Sequence, residues 1–244
     1  MSIGHSKEED MAIRINTMLV TFVAHALAVI AAIMVVVLNI SYRGGLAWEA
    51  EDKNFNLHPV LMIIGFVILG GEAIISYKAL PLETPVKKLI HLILHAIALA
   101  LGILGICAVF MNHMECGIFH LYSLHAWIGT GVISLYAVQW VYSFIVFFFP
   151  GGSQKLRSGL LPWHAMLGLF VYIVAVGNAA LGFLKKLNFL ESGGLEKYGT
   201  EAFLVNFTAI VTILFGAFVV LIVFAKSPSP SSSIDDDNNS YSAI

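Results

Sequence analysis

Six of the nine histidines, His25, His58, His91, His95, His125 and His164, lie within or at the ends of long apolar runs. An ionisable side chain placed there is costly and becomes a candidate for function. Four stand in related words: LHPVLMIIG at His58, LHAIALALG at His95, LHAWIG at His125 and WHAMLG at His164. Glycine follows each at +4 or +7, an offset that returns to the histidine's own helical face. Such an imidazole stands beside a groove in which a flat cofactor can lie against backbone. Close helix packing explains the same small residues equally well.

The elements that must carry these histidines are set by composition. With 59% hydrophobic residues and a mean hydropathy of +0.87, the chain lies far above the soluble-domain norm of roughly 45 to 50% apolar. Six runs meet the roughly 20 apolar residues that a bilayer-crossing helix needs: 16–40, 57–77, 89–111, 121–149, 160–184 and 200–225. The fold expected is an all-α integral membrane protein of six transmembrane helices, and the short loops leave no room for a soluble catalytic domain. Cys107 and Cys116 cannot make a disulfide framework, and no C-x-x-C-H site for covalent haem occurs. The opening MSIGHSKEED is too polar for a cleavable signal peptide, which makes the first span an uncleaved anchor. Residues 1–15 then form an N-terminal segment, 16–225 the six-span domain and 226–244 a Ser/Asp-rich tail without enough apolar surface to order itself. Lysine and arginine count eight on the side of the termini (Lys7, Arg14, Lys78, Lys87, Lys88, Lys155, Arg157, Lys226) against five opposite (Arg43, Lys53, Lys185, Lys186, Lys197), which puts both termini in the cytosol.

Alternate spans run in opposite directions, so depth can be compared. His58 and His125 enter near the starts of their spans from the non-cytosolic side, and His91 and His164 enter likewise from the cytosolic side. Two pairs at two levels, about 20 Å apart from the helical rise, suit two bis-histidine haems. Structural zinc wants four ligands at one point. The span interiors hold no carboxylate besides Glu72, which is against a Glu-x-x-His di-iron bundle. A proton relay does not call for paired levels. By wording alone His95 competes with His91; depth favours His91, because His164 is only four or five residues into its span.

The region Thr17 to Phe224 resembles the cytochrome b561 family. The likeness rests on the order and spacing of His58, His91, His125 and His164, at intervals of 33, 34 and 39, and on YSLHAW at Tyr122 to Trp127. It implies a central four-helix bundle (spans two to five) holding two non-covalent haem b, with spans one and six flanking it. It also implies transmembrane electron transfer from cytosolic ascorbate to monodehydroascorbate or a ferric chelate, in an endomembrane such as the vacuolar membrane, by a homodimer embedded in the lipid bilayer. No nucleic-acid partner is expected. The resemblance supports His91 over His95, which becomes a residue one turn deeper than the ligand.

Lys87 and Lys88 precede His91 by four and three, and Arg157 leads into the LPWH of the partner span, with Pro162 expected in a first helical turn. By resemblance Lys88 and Arg157 hold cytosolic ascorbate, with Lys87 beside them, and Lys78 lies near the haem carboxylates. Family members often carry a basic residue where this chain has Thr84, so either the ascorbate site is weaker or Lys87 substitutes. The opposite rim reads as less charged: Asn112, His113 and Tyr122 are the expected acceptor contacts, with Tyr122 and Ser123 also near haem. The alternative function is a dihaem membrane-anchor subunit of a larger quinone-linked complex, whose haems would not respond to ascorbate.

Overall fold

A computed structural model of the chain describes residues 17–48 and 53–225. The expected N-terminal segment and tail, and with them Lys7, Arg14 and Lys226, lie outside the described residues. Six helices are long and apolar enough to cross a membrane: α1 Thr17–Tyr42, α2 Asn54–Ala79, α3 Thr84–Glu115, α4 Leu124–Phe148, α5 Gln154–Ser192 and α6 Thr200–Phe224. No strand occurs among the described residues. The chain is a multi-pass membrane protein.

Neighbours in sequence pack as neighbours in space, α2 on α3, α3 on α4 and α4 on α5, and the ring closes where the middle of α2 meets α5. That is the four-helix core. α6 packs on α5 and α2, and α1 covers α6, so the two outer helices shield one side of the core. The stripe Ala24, Ala28, Ala31 and Val35 lets α1 approach α6 closely, against Val205, Phe215, Val219 and Ile222. A second apolar cluster, Phe66, Val132, Ile133, Val171 and Ala175, fills the middle of the four-helix core.

Three details depart from the expected spans. α5 extends well beyond 160–184: Ser153 caps it at Gln154, its hydroxyl accepting from the Leu156 amide at 3.3 Å. At 39 residues it is about 58 Å long, nearly twice the hydrocarbon thickness. Pro162 therefore sits inside the helix and not in its first turn, because the cap, not the apolar run, decides where the helix begins. α2 contains Pro59 directly after His58, and Leu61–Ile68 is π-helical. Proline interrupts the helical ladder, and a π turn is one way of absorbing that interruption.

The end of the bundle where α1 begins and α6 finishes is called here the termini end. At the opposite, far end, polar side chains tie the helices together. Arg43 pairs with Glu201, Asn56 donates to the carbonyls of Arg43 and Gly45 at 2.8 and 2.9 Å, and Asn54 bonds Glu115.

Candidate metal centres

Each predicted pair closes across a diagonal of the four-helix core. His58 of α2 faces His125 of α4 with ring centroids 6.1 Å apart and planes at 86°. His91 of α3 faces His164 of α5 at 6.2 Å and 74°. Two imidazoles on opposite sides of one metal ion, each through a bond of about 2.0 Å, have ring centres about 6 Å apart. The donor sets match that separation at both levels.

The other ring nitrogen of each histidine is held. Nδ1 of His58 meets the Gly105 carbonyl at 2.9 Å, Nδ1 of His125 the Asn178 carbonyl at 3.0 Å, and Nδ1 of His91 the Ala73 carbonyl at 2.9 Å. A carbonyl can only accept, so in these three Nδ1 carries the proton and Nε2 keeps the lone pair that a metal needs. His164 differs: its Nδ1 meets the Ser143 hydroxyl at 2.9 Å, with the Gln139 amide nitrogen at 3.4 Å.

These bonds also measure the separation of the levels. Gly105 lies fourteen residues beyond His91 on α3, and Asn178 fourteen beyond His164 on α5. Each helix thus carries one ligand and, about 21 Å further along, the carbonyl that orients a ligand at the other level. The apolar cluster around Phe66 lies between, with the Tyr136 ring 4.7 Å from that of Phe66.

The glycines beside the histidines serve the packing alternative. A Cβ on Gly65 would meet Leu101 at 2.5 Å, and one on Gly102 would meet Phe66 and Ile133 at 2.8 Å. On Gly129 and Gly168 it would meet the side-chain amides of Asn178 and Gln139 at 2.9 and 2.8 Å. Those last two glycines make room for the amides standing behind His125 and His164.

Other expected residues fall as follows. His95 bonds Tyr136 through Nδ1 and stands edge-on to His91 at 4.3 Å, one turn deeper than the pair. Lys87 and Lys88 lie half-buried in the opening turns of α3, and Arg157 half-buried at the start of α5, all at the termini end. Lys78 lies at that end too, and its ammonium donates to the Val223 carbonyl, capping α6. Asn112, expected at the acceptor surface, is 8% exposed, and its amide donates to Asn54 and Cys116, so it braces the rim from behind. His113 and Tyr122 do come together, with centroids 6.3 Å apart. His25 pairs with Glu72 at 2.9 Å, which accounts for the carboxylate inside α2. Among the described residues no three His, Cys, Asp or Glu converge as a set that could hold a metal ion by themselves.

The far rim is more cationic than the sequence suggested. Lys185 lies 4.2 Å over the Tyr122 ring and donates to Ser123, and Lys186 lies 4.6 Å over Phe55. The sequence carried a signal for this: Asn178, Gly182 and Lys185 fall at i, i+4 and i+7, one helical face. Tyr77, whose ring lies 5.4 Å from His91, carried no such signal.

A family profile for eukaryotic cytochrome b561 matches residues 57–190, the stretch holding all four paired histidines. The chain belongs to the cytochrome b561 family. It is 79% identical over 239 residues to transmembrane ascorbate ferrireductase 1 of Arabidopsis thaliana, covering 96% of this chain and all of that one. It is 62% identical to ascorbate-specific transmembrane electron transporter 1 of Zea mays, over 84% of this chain and 88% of the relative. A human transmembrane ascorbate-dependent reductase is 39% identical over 75% of this chain and 72% of its own length. Membership of this cytochrome family implies b-type haem, and the separation and tautomers of the paired imidazoles fit axial ligation of it.

Proposed function

We propose that the chain is an ascorbate-dependent transmembrane oxidoreductase of the cytochrome b561 family. It takes electrons from cytosolic ascorbate at the termini end and delivers them to monodehydroascorbate or a ferric chelate at the far end. His91 with His164, and His58 with His125, would hold two haem b, which would supply reversible one-electron chemistry. A pair of imidazoles at each level would suit haem to electron transfer over oxygen binding.

The chain's own residues do the rest. Lys88 and Arg157, with Lys87, attract the ascorbate monoanion at the termini end; His113 and Tyr122 meet the acceptor at the far end, with Asn112 bracing them. Tyr122 and Ser123 lie beside the far centre, and His95 with Tyr136 buttresses His91. The central cluster around Phe66 keeps water out of the region between the levels. The six-span domain lies in an endomembrane with both termini cytosolic, residues 226–244 form a disordered cytosolic tail, and the functional unit is a homodimer. Ascorbate as donor is supported by likeness to relatives named as an ascorbate ferrireductase and an ascorbate-specific electron transporter, and a ferric acceptor by the first of those names.

The observation that carries the reading is the two diagonal histidine pairs at about 6 Å with Nδ1 engaged in each. Visible spectra of the purified protein before and after ascorbate test it, with a pyridine haemochrome assay for stoichiometry. About two haems per chain, reduced by ascorbate, are expected. A stoichiometry of zero or one, or haems that ascorbate does not reduce, defeats it.

A further inference from the structure

Glu72 is a carboxylate inside a span, and His25 of the outer helix α1 meets it at 2.9 Å. An ionisable pair at that depth is costly and marks a candidate for function. Its level can be read from three helices. Counted from the termini end, His25 lies eight residues into α1, His91 seven into α3 and Glu72 seven into α2. Glu72 also adjoins Ala73, whose carbonyl bonds His91. The pair therefore stands at the level of the termini-end centre, with His25 toward the outside of the bundle: its side chain is 47% exposed against 22% for Glu72.

A line of polar groups runs from the pair to that centre. Tyr172 of α5 is buried, and its hydroxyl meets no hydrogen-bond partner among the described residues. A buried O–H calls for an acceptor, and Glu72 and Tyr136 are the groups whose charge reaches it. A Cβ on Gly71 would stand 2.5 Å from the Tyr172 hydroxyl, and one on Gly70 3.7 Å from that of Tyr136. Tyr136 in turn bonds His95, which lies edge-on to His91. Three consecutive residues of α2, at 70, 71 and 72, thus face Tyr136, Tyr172 and His25.

We propose that His25 and Glu72 form an intramembrane proton-binding site that answers the electron at the termini-end centre. The inference rests on the electron-transfer reading above and deepens it.

Before the electron arrives, the pair shares one proton between carboxylate and imidazole. An electron at the level of His91 and His164 adds one negative charge in a medium of low dielectric, which draws a second proton and leaves a carboxylic acid beside an imidazolium. The ascorbate monoanion supplies both particles, one electron to the centre and one proton to cytosolic water, as it becomes monodehydroascorbate. The second proton reaches the pair from that water by the exposed side of His25, and it leaves again when the electron moves to the far level. The titratable groups facing the pair are Tyr172 of α5, Tyr136 of α4, and His91 and His95 of α3. On α2 itself Tyr77 follows, and Lys78, which is committed to the Val223 carbonyl. α6 brings Phe215 against Gly71, and its one titratable side chain, Glu201, pairs with Arg43 at the far end.

A hydrogen-bonded clamp of α1 on α2 is the competing account. The test titrates the full chain in proteoliposomes with chemical reductants, from about pH 5 to 8, and follows the termini-end haem, identified as the one missing from His91→Ala. In the wild type its midpoint potential falls as pH rises, because the reduced state holds one more proton. The limit is a tenfold change in the reduction equilibrium per pH unit, about 59 mV. Glu72→Gln combined with His25→Gln keeps polar side chains that can hold the clamp and removes both proton acceptors, so at least half of the slope is lost. A flat wild-type curve, or a double variant that keeps more than half of the slope, overturns the site. Should the double variant fail to fold or lose its haem, His25→Gln alone decides: a curve displaced along the pH axis supports the site, and one superimposed on the wild type overturns it. Failure of ascorbate to reduce the wild-type haems would sink the electron-transfer reading itself, whereas a flat curve in a protein that ascorbate does reduce would sink the proton site alone.

Discussion

His164 is the one paired imidazole whose Nδ1 leans on a hydroxyl instead of a backbone carbonyl. When Nε2 is the ligating nitrogen, Ser143 must accept the Nδ1 proton, and that hydrogen bond makes the imidazole a better donor to oxidised iron. Ser143→Ala should therefore raise the potential of the termini-end centre by roughly 20 to 60 mV, the electrochemical equivalent of one hydrogen bond of about 1 kcal/mol. Haem content should hold, and a redox titration measures both. A second residue-level contrast lies four positions apart on α3. His91→Ala should remove the termini-end haem, whereas His95→Ala, which loses a bond to Tyr136 and an edge contact with His91, should shift its potential without emptying it. Haemochrome assays on the two variants decide this, and an empty site in His95→Ala with a full one in His91→Ala would reverse the assignment.

Among the elements, α5 does most to fix both centres. It carries His164, the carbonyl that orients His125, and Gly182, where a side chain would run into the His125 ring. Gly182→Ala should displace that ring and lower stoichiometry from about two haems to about one, because core overpacking costs about 1 to 3 kcal/mol and a ligand ring is what must move. Gly177→Ala on the same helix is the control, since a Cβ there meets nothing within 4 Å; it should keep both haems. The α2 helix solves a different problem. Pro59 follows His58 immediately, and the π-helical stretch beyond it precedes the turn in which Ala73 offers its carbonyl to His91.

Across the whole molecule, the proposed donor and acceptor functions occupy opposite ends of one helical bundle. Replacing Lys88 and Arg157 together with Ala should slow haem reduction by ascorbate by about tenfold or more, because two attractive charges are lost. Raised salt should reproduce part of that loss, since exposed charges are screened over about 8 Å at physiological ionic strength. A small neutral reductant should be spared. In oriented vesicles His113→Ala should instead slow reduction of the acceptor at the far face, with haem reduction at the termini end nearly intact. Equal loss at both faces from either change would mean that these residues maintain fold or haem content. Charge by itself does not separate the ends, because Lys185 and Lys186 make the far rim cationic as well.

The sequence alone determined what is local and periodic. Six spans follow from apolar length, and the pairing of histidines into two levels follows from where each sits in a span of known direction, since a bilayer forces alternate helices to run oppositely. The spacing of His58, His91, His125 and His164 also carried the family. Helix ends were less legible: α5 starts at a serine cap and outruns its apolar stretch. Only the tertiary structure decided what lies across a helix boundary. Diagonal pairing requires knowing which helices are adjacent, and the carbonyls of Ala73, Gly105 and Asn178 are backbone atoms that any residue could supply, so no side-chain pattern marks them. Likewise the bonds of Lys78 to the Val223 carbonyl and of Asn112 to Asn54 join residues far apart in sequence, which no local pattern marks. Lys185 shares the helical face of Asn178, but its contacts with Ser123 and Tyr122, more than sixty residues away in sequence, follow only from the packing of α4 on α5.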